Sequence, residues 1–291
     1  MPTYTAANMS GSVGKTTSVV TSAVLLAATG LRVRVIDLDP QANASTWLGY
    51  PNITGATIAD VLRLEATIND IERPARVIQG YSEEGEPVYD GAAPGGRIDN
   101  LTVVPAARST LDKLMVELPA VTGGVMRLRD ALEAATPVDI TFIDSPGSNS
   151  ALVLSALIAT SVEEDGPAGT WGLITCTKPA GKESEGIQVL LHELTAIKKT
   201  FRIEIPLLAI IPCAVPAQGG VYREQMEYLL DGFGDRVTPA VRRASIVDEA
   251  YTNYLPVPLY GYRAKEVTKD YENVIDHMKR YGMFRPVAIN A

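Results

Sequence analysis

The sequence predicts a doubly wound α/β fold, a mostly parallel sheet with helices on both faces, and three observations carry that prediction. Apolar runs of strand length alternate with longer stretches of helical spacing along most of the chain. Several runs, such as 32–39 "RVRVIDLD", are apolar nearly throughout, as parallel strands covered on both faces are. A Gly-Lys-Thr-Thr turn follows the first run and aspartates end two others. Polar groups therefore fall at the carboxyl ends of strands, where open parallel sheets carry their sites.

Taken in order, 3–8 "TYTAAN" reads as a short strand and 15–30 as a helix closed by Gly30. The strand at 32–39 follows, then strands at 100–106, 139–146, 170–177 and 205–212. Helical spacing occupies 109–118, 123–135, 150–160, 186–199 and 222–234. Two segments interrupt the alternation. Residues 80–99, rich in Gly, Pro and acid, read as a surface insertion, a hairpin or a loop; 162–170 reads as a shorter acidic loop. No internal repeat is visible, and 1–291 is expected to form a single domain.

A chain of 291 residues with 46% hydrophobic and 21% charged residues is long enough to bury a substantial core. No run reaches the ~18 apolar residues of a membrane span. The opening "MPTYTAANMSG" lacks the basic start and apolar core of a signal peptide, so the expectation is a cytoplasmic protein without a membrane partner. Cys176 and Cys213 lie far apart in sequence, with only His192 and His277 besides, which argues against a zinc or iron–sulfur site. Both cysteines read as small core residues. The net charge of −8 divides unevenly: 1–196 hold 13 Lys+Arg against 23 Asp+Glu, and 197–291 hold 13 against 11. That asymmetry permits a basic face toward the C-terminal end; scattered solvated charge explains it equally well.

Chemistry concentrates in 8–18 "NMSGSVGKTTS". Backbone N–H groups of such a loop and of the helix it opens point at phosphate oxygens, assisted by the helix dipole. Lys15 supplies a charge for the β- and γ-phosphates, Thr16 a hydroxyl for Mg²⁺, and Thr17 a further phosphate contact. Asp37 and Asp39, two apart in 35–45 "VIDLDPQANAS", are expected on one face at a strand end. Asp144 in 142–148 "FIDSPGS" stands where a residue holding a magnesium-bound water is expected. Each aspartate alone also fits a helix cap or turn.

The order of 10–17 "SGSVGKTT", 35–45, 57–62 "TIADVL", 100–106 "NLTVVPA" and 142–148, continued in 233–250 "FGDRVTPAVRRASIVDEA", resembles the ParA family of partition ATPases. This is the deviant Walker A group that also includes MinD, and the likeness covers the chain from Thr3 to about Tyr281. The resemblance implies a P-loop ATPase that forms a homodimer around ATP·Mg²⁺, hydrolyses ATP to ADP and phosphate, and binds DNA non-specifically on the nucleoid. A ParB-like partner bound at a centromere site would stimulate turnover and so segregate a plasmid or phage replicon. Carried over by position, Gly11, Ser12, Val13, Gly14, Lys15, Thr16 and Thr17 hold the phosphates, with Asn43 in the first-switch shell. Lys15 and Asp39 are the catalytic candidates, Asp39 orienting the attacking water. Thr16 is the direct magnesium ligand, and Asp144 and Asp39 bind the metal through water.

Three positions depart from the family pattern. Ser10 stands at the signature lysine, which reaches the opposing subunit's nucleotide; losing one charge-assisted contact costs roughly 1.5–3 kcal/mol. Ser12 replaces the second glycine, and its Cβ calls for a negative φ. Gly147 replaces a proline of the second switch and is expected to loosen that loop. Arg108, Lys178 and Lys182 are substitute cations to weigh against ordinary surface charge. For DNA the candidates are Arg242, Arg243, Arg223, Lys198 and Lys199, whose contacts would be sequence-independent and salt-sensitive. Nothing precedes the first strand that reads as a helix-turn-helix, which matches the short ParA type. Acidic residues 270, 272 and 276 and Pro286 argue against a MinD-like membrane helix at 270–291. A nucleotide-binding scaffold with weak hydrolysis is the alternative function, and Ser10 is its main support.

Overall fold

A computed structural model describes residues 1–91, 96–161 and 168–285, with only the backbone of 181–185. Pro286, the Lys182 side chain and parts of the 80–99 and 162–170 segments lie outside the described residues.

Seven strands form one sheet: β1 (Thr3–Ala6), β2 (Val33–Asp37), β3 (Arg73–Arg76), β6 (Arg97–Val104), β7 (Ile140–Asp144), β8 (Trp171–Thr177) and β9 (Leu207–Pro212). Their order is β3-β6-β2-β7-β1-β8-β9. Every pairing is parallel except β3 with β6, at the edge. Pro74 explains that placement: it has no N–H to donate, and an edge strand tolerates this. The short β4 (Ile78–Tyr81) and β5 (Pro87–Tyr89) form a separate antiparallel hairpin, so the N-terminal part of the 80–99 segment is a hairpin arm.

The helices are α1 (Lys15–Ala27), α2 (Asn43–Trp47), α3 (Ile58–Arg63), α4 (Ile68–Ile71), α5 (Arg108–Ala120) and α6 (Arg127–Glu133). They continue with α7 (Ala151–Ile158), α8 (Gly181–Phe201), α9 (Gly220–Phe233), α10 (Ile246–Thr252) and α11 (Lys265–Arg280). Alternation along the strands sends side chains to two layers. Val33, Val35 and Phe142 pack with Val20 and Val24 of α1 and Tyr271 and Val274 of α11. Ile36, Leu38 and Ile143 pack with Leu62, Leu111, Leu128 and Leu152 on the other face.

Helical spacing at 123–135 resolves into a 3₁₀ turn, Gly124–Met126, followed by α6, and α8 begins five residues before the expected 186. α11 buries its apolar face, Val267, Tyr271, Val274, Ile275 and Met278, in the core beside α1. That stripe is consumed within the molecule, a stronger argument against a membrane role than its acidic residues. Among the described residues no helix is long and apolar enough to cross a membrane.

Candidate nucleotide site

Strand register assembles the site. Ala6 at the end of β1 and Asp37 at the end of β2 both pair with Asp144 at the end of β7. The loops leaving these three strands therefore rise side by side from the centre of the sheet.

The loop after β1 is anchored at its base by buried Asn8. Its Nδ2 donates to the Cys176 carbonyl at 2.5 Å, and its Oδ1 accepts from the Ser10 N–H at 2.9 Å. Gly14 turns the chain into α1 at φ 97°, a left-handed conformation that glycine adopts without strain. A Cβ there would also lie 3.1 Å from both Cβ and Sγ of Cys213. Ser12 is left-handed too, at φ 57°, contrary to the negative φ its side chain calls for. Holding a non-glycine residue there costs about 1 kcal/mol, strain of the kind that gathers at binding loops. Lys15 is 6% exposed and its Nζ donates to the Ser10 carbonyl at 3.3 Å.

Thr16 Oγ1 donates to Asp144 Oδ2 at 2.7 Å. The other oxygen, Oδ1, is buried with no hydrogen-bond partner. Burial, and then the negative charge of Asp37, push the Asp144 carboxyl well above the ordinary carboxylate range. A buried acceptor of this kind, next to a threonine hydroxyl and a lysine, fits a magnesium-bound water. Among the described residues no group of three His, Cys, Asp or Glu forms a metal cage, so a cation here would need the oxygens of a phosphate.

Asp37 and Asp39 do not act as one pair. Asp37 is fully buried and accepts from the Asp39 N–H, the Ser45 N–H and the Ser45 hydroxyl, at 3.1, 2.7 and 2.7 Å. It is a capping group under the first-switch loop, and burial pushes its carboxyl up to about 7. Asp39, beyond the strand end and half-buried, lines the cavity instead. The strand stops at Asp37, so alternation no longer governs residue 39.

That cavity, about 730 Å³, is of small-molecule size. Gly11, Ser12, Val13, Gly14, Lys15, Thr16 and Thr17 line it, as do Asp39, Asn43, Gly147 and Lys178. The bareness of Gly147 lets two loops touch: a Cβ there would lie 2.9 Å from Gly11 Cα and 3.2 Å from Lys15 Nζ. Ser10 is not among the lining residues; a Cβ on Gly186 of α8 would lie 2.7 Å from its Oγ. Of the substitute cations, Lys178 lines the cavity and has no ion pair among the described residues, whereas exposed Arg108 donates to Gln41 Oε1.

Sequence reasoning missed the wall opposite the phosphate loop. Trp47, Asp248 and Tyr251 form it, and the Tyr251 hydroxyl donates to Asn43 Oδ1 at 2.7 Å. Tyr251 stands edge-on to Trp47, centroids 5.3 Å apart. α10 is seven residues long, too short for its periodicity to announce it.

None of the DNA candidates lines this cavity. Arg242 is held within the molecule: its Nε and Nη2 donate to Asp270 at 2.7 and 2.9 Å, and Nη1 to Glu266 at 3.2 Å. α11 brings these two carboxylates to it from 24 and 28 residues along the chain. Lys198 pairs with Glu204 at 2.9 Å. Arg243, Arg223 and Lys199 are exposed and carry no ion pair among the described residues. The two cysteines, distant in sequence, are both buried in one core cluster, where Cys213 Sγ lies 3.6 Å from the Ser18 hydroxyl.

A family model described as the CobQ/CobB/MinD/ParA nucleotide binding domain matches residues 4–257. The chromosome partitioning protein ParA of Caulobacter vibrioides is 29% identical over 262 residues, covering 88% of this chain and 86% of that protein. The sporulation initiation inhibitor protein Soj of Bacillus subtilis is 26% identical over 261 residues, covering 89% and 90%. Among solved structures, an ATP complex of a Cyanothece McdA variant has a TM-score of 0.75 at 19% identity, covering 99% of this chain and 98% of that one. A plasmid partition protein of Borrelia burgdorferi bound to AMPPNP, described as putative, has a TM-score of 0.73 at 17% identity, covering 96% and 98%. These two likenesses bear on the fold; the family match runs over most of the chain and onto the loops just described. The chain belongs to the CobQ/CobB/MinD/ParA family of nucleotide-binding domains.

Proposed function

We propose that this chain is a ParA-type DNA-partition ATPase. It binds ATP with Mg²⁺, pairs with a second copy in that state, and holds DNA on the nucleoid without regard to sequence. A ParB-like partner then stimulates hydrolysis, and the cycle segregates a plasmid or phage replicon in the cytoplasm. The observation that supports this reading most is Asp144: one oxygen held by Thr16, the other buried and unpartnered beside the phosphate loop.

In this reading the amides from Gly11 to Gly14 would cradle the phosphates, and Lys15 would supply them a positive charge. Thr17 adds a phosphate contact. Thr16 would offer its hydroxyl to the metal, and Asp144 and Asp39 would hold metal-bound waters. Bound magnesium would neutralise charge on the β- and γ-oxygens. Asp39, carried on a loop tethered to Asp37, orients the attacking water. Asn43 is fixed by Tyr251, which closes the cavity opposite the loop. Arg243, Arg223 and Lys199 are the exposed cations left to meet DNA phosphates.

A scaffold that binds nucleotide and hydrolyses little is the second reading. What favours it is that Ser10 is uncharged and sits against α8 rather than at the cavity wall. Turnover of ATP, measured with and without DNA and a ParB-like partner, separates the two, with a Ser10→Lys variant alongside. The partition reading expects stimulated turnover by the parent chain. Nucleotide binding without stimulation supports the scaffold, and failure to bind ATP removes both. A Lys15→Ala variant that binds ATP normally overturns the loop assignment.

A further inference from the structure

A second polar cavity, about 370 Å³ and sharing no residue with the first, lies between β3, the loop at 50–54 and the β4–β5 hairpin. Its size is within the ~300–1,000 Å³ range of small-molecule sites. Two aromatic rings in its wall are fixed by their own hydroxyls. Tyr50 donates to the Pro74 carbonyl at 2.8 Å and Tyr89 to the Gly49 carbonyl at 3.0 Å. Over each ring stands a guanidinium: Arg73 is 5.6 Å from the Tyr50 centroid and Arg76 4.8 Å from that of Tyr89.

Arg73 and Arg76 are three residues apart, which on a regular strand sends side chains to opposite faces. The register of β3 against β6 slips between Pro74 and Arg76, and this irregularity brings both arginines to one cavity. Gly49, at φ 100°, lets the neighbouring loop close over Arg76; a Cβ there would lie 2.8 Å from the Arg76 Cβ and carbonyl oxygen. The arginines are thus positioned by specific backbone devices.

Their charges are not answered. Arg76 pairs in register with Arg97 of β6, and none of Arg73, Arg76 and Arg97 has an ion pair among the described residues. Arg76 Nε is buried with no hydrogen-bond partner, and Arg73 Nη2 reaches the Thr54 carbonyl at 3.3 Å. Of the wall's carboxylates, Glu72 is taken by Arg34, and Glu86 makes no ion pair among the described residues. Two guanidiniums in the wall of one cavity repel one another, and a dianion between them relieves that. The planar fork of arginine matches phosphate oxygens two at a time.

We propose that this cavity binds a phosphoryl-bearing anion, inorganic phosphate or the phosphate of a small nucleotide, with Arg73 and Arg76 as its ligands and Tyr50 and Tyr89 holding them in place. The test is calorimetric titration of inorganic phosphate, and separately of CMP, into the full chain with its phosphate loop saturated by Mg²⁺ and a non-hydrolysable ATP analogue. Repeating it in the Lys15→Ala variant keeps it independent of the nucleotide reading. The expected result is one site with a Kd below about 1 mM, weakened roughly tenfold to a hundredfold by Arg73→Gln and by Arg76→Gln. Arg73→Lys and Arg76→Lys, which keep charge and stem, weaken it too, with an unchanged melting temperature showing the fold intact. Tighter binding of CMP than of phosphate makes a nucleotide the source; equal binding makes it free phosphate. No binding below about 10 mM, or arginine variants that bind like the parent, overturns the proposal.

Discussion

Strand β2 seals two charged side chains from solvent, Arg34 and Asp37, three residues apart, and their surroundings differ in kind. Arg34 is closed on itself: Nε and Nη2 each meet a Glu72 oxygen at 2.8 Å, and Nη2 also meets the Thr136 carbonyl at 2.8 Å. Asp37 is satisfied as well, but its register partner Asp144 keeps one oxygen without a donor. The first arrangement is complete without any ligand. The second puts two carboxylates side by side whose ionised forms are costly to bury until a proton or an added cation neutralises them. A buried charge with all its partners holds a strand in place; a buried charge short of one marks a site.

The largest expected effect breaks the closed side. Glu72→Ala leaves the Arg34 guanidinium buried with the Thr136 carbonyl and the Met1 sulfur as its partners and no counter-charge, which is expected to cost about 3–5 kcal/mol of unfolding free energy. Replacing both residues with apolar ones of similar volume, Arg34→Met with Glu72→Leu, recovers most of that loss, because no unpaired charge remains. Urea unfolding of the single and double variants measures both. A single-variant loss under about 1 kcal/mol, the level of an exposed pair, would place Arg34 outside this argument.

The open side should respond in the opposite direction. Asp144→Asn keeps an oxygen for Thr16 while removing a charge whose burial is unfavourable in the ligand-free chain. Its melting temperature without nucleotide is expected to rise. Magnesium-dependent nucleotide affinity is expected to fall about tenfold or more, the scale of one lost charge-assisted contact. Melting curves with and without Mg²⁺·ATP read both quantities together. A fall in ligand-free stability would show that Asp144 is a structural partner like Glu72.

The same contrast explains what the sequence made legible. The phosphate loop is contiguous, and its glycine, lysine and threonines act through backbone conformation and short side chains, so spacing announces their geometry. Asp144 was legible because a buried strand ending in aspartate leaves that carboxylate at the loop end of the sheet. Partners supplied from afar were not legible. Asp270 reaches Arg242 only through the packing of α11, and Arg73 and Arg76 meet at one cavity only through an irregular strand, and no local spacing announces either. Tyr251 was missed because its helix is too short to show a period. Asp37 and Asp39 were misjudged because the strand carrying the alternation ends between them.

The smallest effect separates the adjacent arginines Arg242 and Arg243. Arg242 is half exposed, but its bidentate partner Asp270 is 10% exposed, and Val215 and Arg242 form a β-bridge beside it. Arg242→Ala is therefore expected to lower stability by about 0.5–1 kcal/mol, the upper range for a surface pair, and to leave Asp270 without its cation. Arg243 offers no such contact, and Arg243→Ala is expected to leave the unfolding curve unchanged. Non-specific DNA binding should reverse the ranking. Removing Arg243 lowers affinity evenly across sequences and reduces the slope of log affinity against log salt by about one unit. Removing Arg242 changes that slope less, since its charge is already balanced within the molecule. Affinities measured at several salt concentrations, beside urea melts of the same two variants, decide the matter. Equal slopes and equal stabilities for the two would mean that the Asp270 pair does not hold Arg242 in solution.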